Sequence, residues 1–320
     1  MTSIGCSSTN TPTQGIITVE NGQFMRNGEP YYFVGTNFWY GAILGSEGEG
    51  GNRERLLKEL DFMKANGIDN LRILVGGEGE NGLLGKIEPN LQPEPGVYND
   101  EVLAGLDYLM MELGKRNMTA VLYFNNAWEW SGGYTQYVAW ANETPVLVPR
   151  VDGWFSYNTF AGEFVRNERA KQIFYDHVKY IVSRTNRYTG IKYIDDPAIF
   201  SWQISNEPRA FSSKEQDNKE AFAEWIESSA KLIRELDPKA APTDDDVPVM
   251  RIWWAGFKEW LRGKYPEIYQ KADGGGTDGY NTADAWQNFM LMLNEGKPQE
   301  NDRIEHAQLH DVLAAIQFND

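Results

Sequence analysis

Cysteine, histidine, basic charge and long apolar runs are all scarce in this chain, and each shortage closes off something. One cysteine, Cys6, stands in 320 residues, so no internal disulfide can form. Of three histidines, His306 and His310 sit four apart, a spacing that suits two metal ligands on one helical face. No Glu fills the metalloprotease position between them, and His177 belongs to a different predicted helix, so a solvated helix is the better reading and no metal is expected. Thirty Lys and Arg face 46 Asp and Glu, giving a net charge of −16. Nucleic acid and anionic membrane both need a basic footprint, so neither is an expected partner. No run of about 18 apolar residues occurs, which excludes a membrane-spanning helix.

Aromatic residues, by contrast, are plentiful: 11 Trp, 16 Tyr and 15 Phe. Core packing can use many of them, yet so much Trp also suits a cleft that stacks the flat faces of sugars. A neutral polysaccharide is indifferent to negative charge. The length fits a single α/β barrel.

Cys6 lies in Ser3-Ile4-Gly5-Cys6-Ser7-Ser8, followed by a polar stretch to Gln14. This resembles the cleavage region of a bacterial lipoprotein, although Ser3 replaces the usual Leu and no signal segment precedes it. The expectation is a protein secreted or lipid-anchored at a bacterial cell surface, its signal peptide absent from this chain. A plain disordered tail over residues 1–15 is the alternative.

From Ile16 a pattern sets in. Ile16–Glu20 and Gln23–Arg26 flank Asn21-Gly22, a hairpin signal. Tyr31–Asn37 reads as a first buried strand. A βα rhythm follows: a helix over Arg53–Ala65, a strand over Leu71–Val75, a helix over Glu101–Arg116, a strand over Thr119–Phe124. After a long aromatic insertion come a helix over 168–184, a strand ending at Asn206-Glu207, and a helix over 219–236. Strands separated by helices of this length pair in parallel. Four such units fill residues 16–237, the N-terminal half of a (β/α)8 TIM-barrel-like fold. Residues 238–320 are too few for four more units of roughly 30 residues each, and they read as a divergent, mostly helical segment.

The stretch that carries the chemistry is Ala198-Ile-Phe-Ser-Trp-Gln-Ile-Ser-Asn206-Glu207-Pro208-Arg209. An apolar run of strand length delivers an amide and a carboxylate to its tip, where Pro208 stops it. Barrel strands present catalytic groups at that end, so Glu207 is the candidate general acid/base.

Five motifs carry a resemblance: Gly35-Thr-Asn-Phe-Trp-Tyr40, Leu71-Arg-Ile-Leu74, Tyr123-Phe-Asn-Asn126, Gln136-Tyr-Val-Ala-Trp-Ala141 and the Trp202–Arg209 run. Over residues 16–237 the chain resembles glycoside hydrolase family 5, in its endo-β-1,4-mannanase branch. The resemblance implies Glu207 as acid/base and Asn206 as a substrate-binding residue. It also implies that Arg72 holds the catalytic carboxylate ionised, and that Trp39 stacks on sugar, with Trp128 and Trp130 as further platforms. It implies a mannan-type polysaccharide as partner and no cofactor. A family 5 glucanase, and an inactive glycan-binding protein or truncated gene product, are the alternatives.

Retaining hydrolysis needs a second carboxylate as nucleophile. Residues 238–320 lack the family's segment for it, and the weak candidate is Glu295, after an apolar run of helical composition. The expectation is therefore weak oligosaccharide binding and poor cleavage.

Two signals are set aside. Gly77-Glu-Gly-Glu-Asn-Gly82 matches a dinucleotide fingerprint, but prolines follow instead of a helix, and two Glu would repel phosphate. Asp273 and Asp278 flank a Gly run that reads as a loop better than as a calcium site.

Overall fold

The computed structural model describes residues 15–20, 23–82, 86–213 and 216–238. The expectations placed on Cys6, Asp273, Asp278, Glu295, His306 and His310 lie outside them, as do those for nearly all of 1–15 and 238–320.

Three short strands, β1 (Ile17–Glu20), β2 (Gln23–Arg26) and β3 (Glu29–Pro30), form an antiparallel meander. Four more, β4 (Gly35–Asn37), β5 (Asn70–Leu74), β6 (Thr119–Tyr123) and β7 (Ile199–Gln203), form a second sheet in sequence order, every neighbour parallel. Parallel neighbours need crossovers. After the short α1 (Gly41–Leu44), α2 (Arg53–Ala65) joins β4 to β5, and α3 (Asp100–Lys115) joins β5 to β6. Between β6 and β7 run α4 (Gly133–Asn142), α5 (Pro149–Gly162) and α6 (Glu168–Val182), and α7 (Lys219–Leu236) follows β7. This is the first half of a TIM-barrel-like α/β fold.

Local chemistry explains the element ends. Asn52, Asn99 and Asn167 each cap a helix by accepting backbone N–H bonds from its first turn, and Asn66-Gly67 closes α2. β5 and β6 are buried at four of five positions, as strands covered on both faces require. Leu71, Ile73 and Leu122 meet Leu56 and Leu60 of α2 and Leu103, Leu106, Leu109 and Leu113 of α3 in one core. Each such side chain contributes about 1.5–3 kcal/mol by leaving water.

At the start of the strands the meander packs underneath. Phe200 lies 4.9 Å from both Phe24 and Phe33, ring centre to ring centre. It occupies a bulge, since Ala120 pairs with Ile199 and Val121 with Ser201. The Tyr31 hydroxyl bonds to Thr119 Oγ1 at 3.2 Å, tying the meander to the first residue of β6.

In the helical layer, Asp107 of α3 is fully buried and meets Arg184 through two bonds of 2.8 and 2.7 Å. It also accepts from the Tyr193 hydroxyl at 2.6 Å and from Arg187. Burial works against the Arg184 charge, but these bonds hold its pKa above the ordinary value.

One expectation needs correction. The first barrel strand does not begin at Tyr31: Tyr32 and Val34 are more than half exposed, and pairing starts at Gly35. The aromatic insertion, to which the sequence reading gave no elements, contains α4 and α5. No helix among the described residues is long and apolar enough to cross a membrane.

Candidate active site

Beyond the paired strands, β6 and β7 stay in register. Asn206 N–H donates to the Asn125 carbonyl at 2.8 Å, Ala127 N–H donates to the Asn206 carbonyl at 3.0 Å, and Asn126 bridges Asn206 in parallel. This extension carries the candidate residues past the C-terminal end of the sheet. Arg72, in β5, donates from Nε to Gln203 Oε1 at 2.7 Å and from Nη2 to Asn206 Oδ1 at 3.1 Å. Its guanidinium lies 4.1 Å from the Tyr123 ring centre. Asn206 Nδ2 donates to Asn126 Oδ1 at 2.9 Å, so both ends of its amide are oriented.

Glu207 has φ +46°, in the left-handed region. A non-glycine residue held there stores about 1–3 kcal/mol of strain, and such positions cluster where a side chain must be aimed. The Glu207 carboxylate is partly exposed. Its Oε2 accepts the Trp128 indole N–H at 2.7 Å and faces Arg209 Nη2 at 3.4 Å. The Arg209 guanidinium also lies 4.7 Å from the Trp128 ring centre. Carboxylate, indole and guanidinium thus form one cluster.

The three sequence-predicted tryptophans divide. Trp130 meets Trp39 edge-on at 5.6 Å, while Trp128 serves Glu207 and meets Trp154 edge-on at 6.1 Å. Arg72 and Asn206 are brought together and Glu207 is the next residue in the chain, yet the arginine in contact with the Glu207 carboxylate is Arg209, two residues on. Sequence reasoning passed over Gln203, Asn126, Arg209 and Trp154. The first three sit inside or beside quoted motifs. Trp154 had no periodic signal around it.

It also gave Glu78 no structural role. That residue follows β5 and was read only as one of two Glu that would repel phosphate. It is instead fully buried, its carboxylate accepting from Gly133 N–H and from the Tyr137 hydroxyl, each at 3.0 Å. Burial pushes its pKa up to about 7, against the pull of those donors. Nearby, desolvation brings Lys86 down to about 8. His177 of α6 is likewise buried, with Nε2 2.9 Å from the Val75 carbonyl, and burial lowers its pKa to about 4.

Parallel strands wound outward through helices, with acid, amide and arginine gathered at their C-terminal tips, define an α/β barrel of the glycoside hydrolase kind. The particular family follows from likeness along the chain. Residues 14–243 match the family described as GH family 5 beta-mannosidase-like, and the chain belongs to that family. The mannan endo-1,4-beta-mannosidase 1 of Arabidopsis thaliana is 30% identical over 224 residues, 70% of this chain and 48% of that protein. Among solved structures, the glycoside hydrolase family 5 mannosidase of Rhizomucor miehei is 35% identical with a TM-score of 0.65, over 71% of this chain and 55% of that one. The endo-1,4-beta-mannanase of the same fungus is 25% identical with a TM-score of 0.53, over 70% and 59%. The chain spans about half the length of the curated relatives it matches.

Proposed function

We propose that residues 16–237 carry the acid/base half of a retaining glycoside hydrolase that acts on β-1,4-linked mannan. The observation that supports this most is the Trp128 indole N–H on Glu207 Oε2 at 2.7 Å, at the tip of β7. That bond fixes one carboxylate oxygen and leaves Oε1 to the substrate. Protonated Glu207 donates to the leaving-group oxygen while a second carboxylate attacks the anomeric carbon. Glu207, now a base, then activates the water that releases the sugar. Asn206 offers its amide to a hydroxyl beside the scissile bond, with Arg72 holding that amide in place. Trp39, Trp128 and Trp130 supply apolar faces for successive sugars. Glu295 is the candidate for the attacking carboxylate. The mannan-directed names of the similar proteins favour mannan over glucan.

The reading requires the full chain to bind mannohexaose more tightly than cellohexaose in titration calorimetry. Equal or absent binding overturns it. Wherever locust bean gum is also hydrolysed, Glu207→Gln should cut release of reducing ends by roughly 10²–10⁴-fold, as loss of a general acid does. A polymer of that size is met outside the cell, so the same reading makes the protein secreted or held at a bacterial surface through Cys6. Cys6→Ser should then free it from the membrane fraction.

A further inference from the structure

We propose that Glu78 is a positioning residue for the acid/base: its buried carboxylate clamps the loop that leaves β6, and through that loop it sets the Trp128 indole against Glu207. This rests on reading Glu207 as the acid/base, but the clamp itself is a separate matter of geometry. The loop departs at Asn125, carries Trp128, passes through a short 3-10 turn at Glu129–Ser131 and enters α4 at Gly133. Its departing end is tied to β7's extension by Ala127 N–H on the Asn206 carbonyl. Its returning end is held by Glu78 three times. Glu78 N–H donates to the Ser131 carbonyl at 2.9 Å, Oε2 accepts Gly133 N–H, and Oε1 accepts the Tyr137 hydroxyl. Trp128 lies between the two anchored ends.

The approach is too close for ordinary residues. Gly132 and Gly133 both have positive φ, +95° and +62°. A Cβ on Gly132 would stand 2.3 Å from the Glu78 carbonyl oxygen, and one on Gly133 would stand 2.4 Å from the Trp128 carbonyl oxygen. Two donors arriving from different directions need two acceptors. A carboxylate has both, whereas an amide has one and turns an NH₂ group on the other donor. This is the reason for glutamate here despite the cost of burying it.

Tyr137 faces the carboxylate from α4, Lys86 approaches from its own loop with Nζ on Gln136 Oε1 at 2.7 Å, and Tyr98 lies on the segment before α3. Glu129, in the loop itself, acts on Lys86. With a pKa near 7 the clamp exists in two states around neutrality. The ionised state accepts both bonds, and the protonated state directs an O–H at one of them.

The test needs no catalytic turnover. In the full chain labelled with ¹⁵N-tryptophan, the Trp128 indole resonance is identified by its loss in Trp128→Phe and its shift in Glu207→Gln. We expect that resonance to shift in Glu78→Gln as well, and to titrate near pH 7 only when Glu78 is present. Hydrogen exchange over residues 126–133 should rise about tenfold, one hydrogen bond's worth of protection, with residues 17–26 and α2 unchanged. An unmoved Trp128 resonance, unchanged exchange, or equal loss of protection everywhere overturns the proposal. If Glu78→Gln does not fold, Tyr137→Phe, which removes one donor only, should give the same changes at smaller amplitude. Absence of mannohexaose binding by the native chain would sink the functional reading and leave the clamp to be decided by these two measurements.

Discussion

Asp107 and Glu78 are both carboxylates with no solvent exposure, and their surroundings differ in kind. Asp107, in the helical layer, meets two guanidinium groups and a phenol, and it joins α3 to the segment between α6 and β7. Glu78, at the C-terminal rim, meets a backbone amide and a phenol, both neutral. The first arrangement compensates a buried charge with opposite charge and fixes the scaffold. The second hydrogen-bonds only neutral groups, with the Lys86 ammonium acting on it without a direct bond, so desolvation wins and the group sits on the edge of protonation. Buried acids thus act as rivets in one region and as an adjustable clamp in the other.

Breaking the rivet should have the largest effect. Asp107→Ala leaves the partly buried Arg184 and the buried Tyr193 hydroxyl without their acceptor, and unfolding in urea should register a loss of about 3–5 kcal/mol. Glu78→Ala removes a group whose hydrogen-bond partners are neutral. Two unmade hydrogen bonds predict a smaller loss, about 1–3 kcal/mol in the same measurement.

The pH dependence sharpens the contrast. Glu78 has a raised pKa, so its contribution is full below about 4.5 and is lost as pH rises through about 7. His177 has a lowered pKa, so its contribution is present above about 6.5 and is lost as pH falls through about 4. Between these limits the two slopes oppose each other. Thermal melts of the native chain from pH 4.5 to 6.5 should therefore vary little on account of this pair. Glu78→Gln should leave a curve that rises with pH, and His177→Gln one that falls. Two curves of the same slope would mean that one of these groups is solvated. The smallest effect belongs to a carboxylate in neither class: Glu54→Gln, which breaks the exposed pair with Lys58, should change stability by less than about 0.5 kcal/mol.

What the sequence made legible tracks periodicity. α2, α3 and α7 are amphipathic, with buried and exposed faces written at helical spacing, and Asn66-Gly67 marks the end of α2. α4 could not be read so. Every residue from Gly133 to Ala139 is buried, leaving no polar face to mark a period. α5 hides for a different reason, since Gly153 breaks it at φ +79° and Val151, Trp154 and Phe155 are exposed. Glu207 and Asn206 stood out because an apolar strand points at them. Glu78 did not, because a buried carboxylate between glycines looks like any acidic loop until the Gly133 amide and the Tyr137 hydroxyl arrive from far along the chain.

The backbone of Glu207, at φ +46°, has a consequence for how such a gene can decay. Glycine takes that conformation freely, and glutamate does not. On the role proposed for Glu207, the position that most needs an acid is therefore one where discarding it lets the fold relax. A descendant released from that proposed role would find the loss of its acid favoured by folding itself, and would be the sturdier protein.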